Sequence, residues 1–264
     1  MTSAKEKTAI ERIRSFDPIA NGYDDKPYFV GYSGGKDSDT LRVLFELSGA
    51  KHDLVHNHTT VDAPDTVYHI RSIPNIQIEA PATTMWELIV KKGIPPTRLK
   101  RYCCEYLKEH GGTGRICCLG VRWSESTSRA KKRGVAELLT SKDENKIILN
   151  NDNTDNRKLF ENCALKGKKV VNPIIDWLDK DVWYFLGYYG VAVNPLYEMG
   201  FTRVGCIGCP MAGLKARLRE FEMYPKYKEA YLRTFDRMLK HWAIERESPR
   251  TWKSAEEVMA WWLK

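Results

Sequence analysis

No stretch of the 264 residues approaches the apolar length, about twenty residues, that a helix needs to cross a bilayer. The start of the chain, Met1 to Arg14, is polar and charged and lacks the apolar run of a secretory signal. Both absences lead to the expectation of a cytoplasmic protein with no membrane partner. Internal repeats and low-complexity tracts are missing as well, which sets aside solenoids and compositionally biased tails. Acidic charge is in short supply: 34 Asp and Glu against 42 Lys and Arg leave a formal net charge of +8. That balance excludes a strongly acidic chain and suits a polyanionic partner such as nucleotide, tRNA or DNA, although a plainly basic soluble enzyme carries the same excess. The export signal that would accompany a disulfide framework is absent, and the cysteine count of seven is odd. Metal binding, redox chemistry and burial remain for those thiols, and their spacing must choose.

What is present is an ordinary globular composition, 42% hydrophobic and 29% charged, long enough for one large α/β domain or a domain with a small appendage. Residues 1–25 read as a helix and a Gly/Asp-rich linker. Pro27 to Tyr32 is a strand-like apolar run, followed by a glycine-rich turn and by Asp39 to Leu47, apolar at helical spacing. Further strands fit Asp53 to Asn57, Ile76 to Glu79, Arg115 to Val121 and Lys169 to Val171. A helix begins at Met85 and is stopped by Gly93 before Pro95-Pro96. Strands alternating with helices imply a parallel sheet flanked by helices. Ser141 to Lys158 is polar, with an apolar interruption at Ile147-Ile148-Leu149, and reads as an exposed insertion or hairpin. From Asp176 onward the pattern is mainly helical and aromatic, five of the eight tryptophans lying beyond residue 182. The expected organisation is a nucleotide-binding α/β domain over 1–190 and a helical, cysteine-bearing part over 191–264.

The chemistry concentrates first in Ser33-Gly34-Gly35-Lys36-Asp37-Ser38, placed after a strand and before a helix. Two glycines let the backbone turn tightly and turn its amides toward phosphate oxygens, while the helix start adds N–H groups and the positive end of its dipole. Ser33 and Ser38 supply hydroxyl donors and Lys36 a charge. The segment is not a Walker A loop, because Val30 stands where that motif needs glycine and Asp37 where it needs Ser or Thr. Arg122, at the end of a strand, and Arg129 offer the fixed bidentate donors that suit phosphate, although a solvated helix face accounts for Arg129 equally simply. Asp62 suits Mg²⁺, a ribose hydroxyl or the capping of its own loop.

Ser33 to Ser38 resembles the SGGKDS loop of the PP-loop ATP pyrophosphatases, which cleave ATP between its α and β phosphates. Other segments follow in an order similar to that of the phosphoadenosine phosphosulfate (PAPS) reductase family of iron–sulfur type. They are Thr59 to Thr66; Pro95-Pro96-Thr97-Arg98 leading to Arg101-Tyr102-Cys103-Cys104 and Leu107-Lys108; Gly120 to Ser126 with Arg129-Ala130; and Asn194-Pro195-Leu196-Tyr197 before Gly205-Cys206-Ile207-Gly208-Cys209-Pro210. The resemblance implies an adenine nucleotide α-hydrolase-like fold that binds ATP with Mg²⁺ through Ser33 to Ser38, Asp62, Arg122 and Arg129. Lys36, Asp37, Arg122 and Cys104 are then the expected catalytic residues.

Taken alone, the Cys206-x-x-Cys209 turn suits zinc, a redox pair or nothing at all. A tandem pair, Cys103-Cys104, set before a distant Cys-x-x-Cys is similar to the pattern of adenosine phosphosulfate (APS) reductases, which carry a [4Fe–4S] cluster. The resemblance therefore makes Cys103, Cys104, Cys206 and Cys209 the expected ligands, with zinc the alternative metal and Cys104 the candidate free thiol beside a three-cysteine site. Cys117-Cys118 reads as core, and Cys163 is given no role. Sulfonucleotide reductases of the family attack with a tail cysteine, and His241 to Lys264 holds none. The expectation is therefore an ATP pyrophosphatase that adenylates an acceptor for sulfur transfer, similar to the ATP-pyrophosphatase component of DNA phosphorothioation systems. A nucleic acid would be the acceptor and a cysteine desulfurase the upstream partner; a homodimer is compatible with this. An APS or PAPS reductase and a non-catalytic nucleotide-binding subunit are the alternatives.

Overall fold

The computed structural model describes residues 3–22, 26–108, 111–112, 114–139, 147–152, 168–245 and 252–264. Cys163 and most of the polar stretch 141–158 lie outside the described residues. The chain divides into two compact units. One takes Met1–His56, His69–Ile78 and Gly111–Pro195; the other takes Asn57–Tyr68, Glu79–His110 and Leu196–Lys264. The C-terminal part thus shares its unit with two earlier segments, one of which carries Cys103 and Cys104.

Seven strands form one sheet: β1 (Tyr28–Gly31), β2 (His52–Asn57), β3 (Gln77–Glu79), β4 (Ile116–Cys118), β5 (Ala136–Leu139), β6 (Ile147–Leu149) and β7 (Lys168–Val171), in the order β3-β2-β1-β4-β7-β5-β6. The pairs β1–β2, β1–β4 and β4–β7 are parallel, as the alternation of strands and helices implies. The strand β5 runs antiparallel to both β6 and β7, so an antiparallel margin is added to the parallel centre. The apolar interruption Ile147-Ile148-Leu149 is therefore a strand, and β5 and β6 can pair antiparallel because such neighbours need no crossover helix between them.

Ten α-helices are seen among the described residues: α1 (Ala4–Gly22), α2 (Lys36–Ser48), α3 (Pro64–Arg71), α4 (Met85–Lys92), α5 (Tyr102–Leu107), α6 (Thr127–Lys132), α7 (Asp179–Tyr188), α8 (Leu214–Met223), α9 (Pro225–Glu245) and α10 (Ala255–Trp262). In the first unit α2 buries Leu41, Leu44 and Phe45, one face at the spacing of three and four residues, in a core with Ile13, Tyr28 and Val30. Tyr28 joins strand to helix, its hydroxyl donating to the Ile13 carbonyl at 2.8 Å. Cys117 and Cys118 are fully buried in β4, as small core residues should be.

The second unit has its own core, in which Leu88 and Ile89 of α4 meet Tyr231 and Phe235 of α9 and Val258 and Trp262 of α10. The helix α4 starts where its sequence says it should: Thr84 accepts from the Glu87 amide at 3.2 Å, and Glu87 returns a bond from the Thr84 amide at 2.8 Å. Aromatic side chains, among them Phe221, Tyr231, Phe235 and Trp262, give this core much buried area per residue. Tyr231 illustrates the consequence for the cysteines: its buried hydroxyl donates to the carbonyl of Ile207, inside the Cys206–Cys209 turn, at 2.9 Å.

Candidate active site

Going out from β1, the chain moves to β2 on one side of the sheet and later returns to β4 on the other. In open α/β sheets the crevice at such a reversal, outside the carboxyl ends of the strands, is where ligands bind. The segment that leaves β1 there is Ser33 to Ser38, and the one that leaves β4 leads to Arg122.

The loop is closed by its own side chains. Gly34 takes a left-handed φ of 72°, a conformation glycine adopts without strain. Ser38 Oγ donates to the Gly35 carbonyl at 2.7 Å and accepts from the Gly35 amide at 3.1 Å, and Ser33 Oγ reaches Ser38 Oγ at 3.3 Å. Asn194, fully buried, donates to the Gly34 carbonyl at 3.0 Å. Behind the loop a buried trio ties the end of β1 to the first turn of α2: Tyr32 donates to Asp39 Oδ1 at 2.5 Å and lies 3.1 Å from His69 Nε2. His69 Nε2 is itself 3.4 Å from Asp39 Oδ2 without a hydrogen bond to it, so the fully buried carboxylate has the Tyr32 hydroxyl as its hydrogen-bond partner and the imidazole as a polar neighbour.

Lys36, Asp37 and Arg122 come together as the sequence leads one to expect, and a residue it does not announce joins them. Lys36 Nζ lies 3.2 Å from Asp179 Oδ1 and 3.6 Å from Asp37 Oδ2. Arg122 Nε lies 2.7 Å from Asp37 Oδ1, an ion pair without hydrogen-bond alignment, and its Nη2 donates to Asp179 Oδ1 at 3.0 Å. Lys36 and Arg122 are buried, so each charge needs these partners. Gly120 makes the approach possible: a Cβ there would stand 3.0 Å from both Asp37 Cβ and the Asp37 carbonyl oxygen. Burial works against ionisation of Asp179, but the charge of Lys36 and the hydrogen bonds from Lys36 and Arg122 hold its carboxyl below the usual range.

Two expected ligands of the nucleotide have other partners. Arg129 pairs with Glu125 on the preceding turn. Asp62 accepts the Thr59 amide at 2.7 Å and so caps its own loop; it belongs to the unit that holds the cysteines. There a short bridge joins Asp62 to Cys206, and the Ile207 amide donates to Val61 at 2.8 Å.

Cys103, Cys104, Cys206 and Cys209 all lie in this second unit, and none forms a disulfide. The Cys103 thiol is held far above its usual range by its hydrogen bond with Cys104, by burial and by the neighbouring Cys104, Cys206 and Cys209. Burial likewise raises Cys206, whose Sγ donates to Thr59 Oγ1 at 3.3 Å, while Lys108 opposes that rise. Cys206, Asp62 and Cys209 in turn raise Lys108. Among the described residues, no three Cys, His, Asp or Glu side chains form a group that could hold a metal ion as they stand.

Asp179 and the Tyr32–Asp39–His69 trio escape a reading of the sequence. Asp179 does sit in the first turn of a helix, where acidic residues are common, but nothing local says that it faces Lys36.

A family model described as the phosphoadenosine phosphosulfate reductase domain matches residues 27–212. Over 229 residues the chain is 26% identical to an uncharacterised protein of Methanocaldococcus jannaschii, covering 81% of this chain and 42% of that one. It spans about half the length of the curated relatives it matches first. A shorter match, 37% identical over 49 residues and 19% of each chain, is to the adenosine 5′-phosphosulfate reductase of Allochromatium vinosum. Among solved structures, the FMN adenylyltransferase of Candida glabrata is similar in fold, with a TM-score of 0.50 and 14% identity over 78% of this chain and 62% of that one.

The ion-pair arrangement predicts a pH signature. A carboxyl depressed in the folded state stabilises above the unfolded pKa, and that contribution is lost as pH falls through the folded value. Asp179→Asn should therefore lower stability at pH 7 by less than about 1 kcal/mol, the side chain being largely solvent-screened. The gap between wild type and variant, read as urea midpoints, should hold from pH 7 to about 5 and shrink below the ordinary carboxylate range near 3.9. A gap that widens in acid contradicts the assignment.

Proposed function

The chain belongs to the phosphoadenosine phosphosulfate reductase domain family, and on that premise we propose that it is an ATP pyrophosphatase that activates an acceptor for sulfur transfer, with a nucleic acid as the acceptor. The observation that carries the reading is the closed loop Ser33 to Ser38 with Lys36 at the start of α2 and Arg122 facing it across Asp37. A pre-activated sulfonucleotide needs no cleavage of a phosphoanhydride, whereas ATP does, and a lysine in the loop suits charge developing on a departing pyrophosphate.

In this reading the phosphates of ATP, with their Mg²⁺, take the loop amides, the Ser33 and Ser38 hydroxyls and the Lys36 ammonium as partners. An oxygen of the acceptor attacks the α-phosphorus; the bond to the bridging oxygen breaks, and pyrophosphate leaves with the electron pair. Lys36 offsets the new charge, and Arg122, already buried and anchored by two carboxylates, holds the phosphate chain in line. A donor carrying sulfur at the sulfide level then attacks the activated centre, and AMP leaves with the bonding pair. A cysteine desulfurase is the class of enzyme that would feed such a donor, its persulfide sulfur being brought to the sulfide level by a dithiol that is oxidised to a disulfide.

The cysteines suit a thiolate-ligated [4Fe–4S] cluster in number and chemistry, since such clusters take cysteine thiolates and four free thiols belong to this unit. Cys103, Cys104, Cys206 and Cys209 are the residues that would hold it, and the group would supply either a rigid brace or a place to hold sulfur. The same set suits zinc. A sulfonucleotide reductase is the second reading, favoured by the short match to an APS reductase.

Lys36→Ala should abolish pyrophosphate release from ATP in a variant that still unfolds cooperatively, at a lowered midpoint because a buried, paired charge is removed; normal cleavage by that variant contradicts the loop assignment. Protein prepared without oxygen should be brown, and Cys206→Ser should bleach the visible absorption, because serine is a poor ligand for cluster iron. Colourless protein containing stoichiometric zinc would instead leave a structural site.

A further inference from the structure

Within the second unit, the turn that carries Cys206 and Cys209 and the start of α8 wall a cavity of about 380 Å³. Its lining is unbalanced in charge. Arg203, Lys215 and Arg219 contribute three cations, and Glu220 is the one carboxylate among the described lining residues. That carboxylate is already engaged, because it accepts the Gly208 amide at 2.7 Å. Arg203 and Lys215 are exposed, and neither has an ion-pair or hydrogen-bond partner among the described residues.

Arg219 is held differently. Its guanidinium donates to the Gly200 carbonyl at 3.1 Å and to the Met199 carbonyl, and its Cζ lies 4.4 Å from the centroid of the Phe201 ring. Neutral carbonyls and an aromatic ring orient the group without cancelling its charge, and the residue remains exposed. A guanidinium plane fixed in this way is a platform on which a nucleobase can stack. The positive surface is also longer than the cavity. At the end of the cysteine turn Arg98 donates to the Pro210 carbonyl at 3.1 Å, and Lys100 and Arg101 follow in the same loop, both exposed. One small anion would satisfy the cavity alone; cations that continue along a neighbouring loop suit a chain of phosphates.

We propose that this surface holds a single strand of nucleic acid, with backbone phosphates on Arg203 and Lys215 and a base against Arg219. The strand then passes beside Cys206 and Cys209. A single strand is favoured over a duplex because a stacking plane serves only an unpaired base. The proposal rests on the nucleic-acid acceptor put forward above and names the part of the chain that receives it.

The experiment uses the full chain without ATP and a fluorescein-labelled, mixed-sequence single-stranded 12-mer. Binding is followed by fluorescence anisotropy from about 50 to about 200 mM salt, where phosphate contacts show as a linear fall of log affinity with log salt. Arg203→Gln and Lys215→Gln should each weaken binding several-fold and reduce that slope by about 0.7, the single-strand value for one phosphate contact. Arg219→Lys keeps the charge and loses the plane, so it should weaken binding about tenfold, the scale of one lost base stack, with the slope unchanged. Lys240→Gln removes the same charge from a residue already paired with Asp236 at 2.7 Å, and should bind as wild type does. Binding that neither Arg203→Gln nor Lys215→Gln weakens overturns the surface while leaving the acceptor class standing. An equal loss with Lys240→Gln overturns it too, because the general field of the protein then accounts for the affinity. Absence of saturable binding by the wild type removes both the surface and the acceptor class. Displacement of the strand by an equal concentration of a twelve-residue polyglutamate peptide would make the occupant an acidic polypeptide and overturn the assignment to nucleic acid.

Discussion

Arg122 Nε stands 2.7 Å from Asp37 Oδ1, and the order of the first unit's crevice follows from that contact. Arg122 comes from the segment after β4 and Asp37 from the first turn of α2, so one ion pair fixes the exits of two neighbouring parallel strands against each other. Both partners are largely withdrawn from water, where a single unpaired charge would be costly, and this makes the pairing a constraint on the backbone around it. Gly120 is the visible consequence: a Cβ there would crowd Asp37 at 3.0 Å, so the neighbour would have to shift to admit it. Lys36 and Asp179 complete an alternation of two cations and two anions, so positive charge is gathered at the loop without being left uncompensated.

The same arrangement gives the loop a physical character that a glycine-rich turn alone lacks. Its backbone is closed by Ser38, held from the side by Asn194 and backed by the buried Tyr32, Asp39 and His69. Preorganisation of this kind matters when the task is to stabilise charge on phosphate oxygens, because donors that are already fixed need little reorganisation during reaction. In the proposed reaction an incoming polyphosphate would replace the carboxylates as the partner of Lys36 and Arg122, exchanging one set of anions for another in the same field.

Much of this is legible in the chain before any coordinates. The strand, glycine pair and helix around Ser33 to Ser38 read directly from local pattern, and so do the helix from Met85 stopped by Gly93 and the burial of Cys117 and Cys118. Arg122 is marked by its place at the end of a strand. What escapes depends on contacts between residues far apart in sequence. Asp179 is 143 positions from Lys36 and looks like any helix-starting acid. His69 stands 30 positions from Asp39 in sequence and meets it only in the folded chain. The antiparallel margin made by β5 and β6 is hidden because three-residue apolar runs do not declare their direction. The sharing of one unit by Cys103, Cys104 and the C-terminal helices is likewise a property of the folded chain and not of any local composition.

The second unit contributes four free thiols, with Tyr231 fastening the turn between Cys206 and Cys209. The chemistry proposed for the whole chain stands or falls on which phosphorus–oxygen or sulfur–oxygen bond it breaks. The direct measurement is product analysis on anaerobically prepared protein: ATP, sulfide and single-stranded nucleic acid in one reaction, APS or PAPS with a dithiol reductant in another. The account predicts pyrophosphate and AMP in equal amounts from the first and no sulfite from the second. Sulfite release from either sulfonucleotide in the absence of ATP would contradict it and establish a reductase.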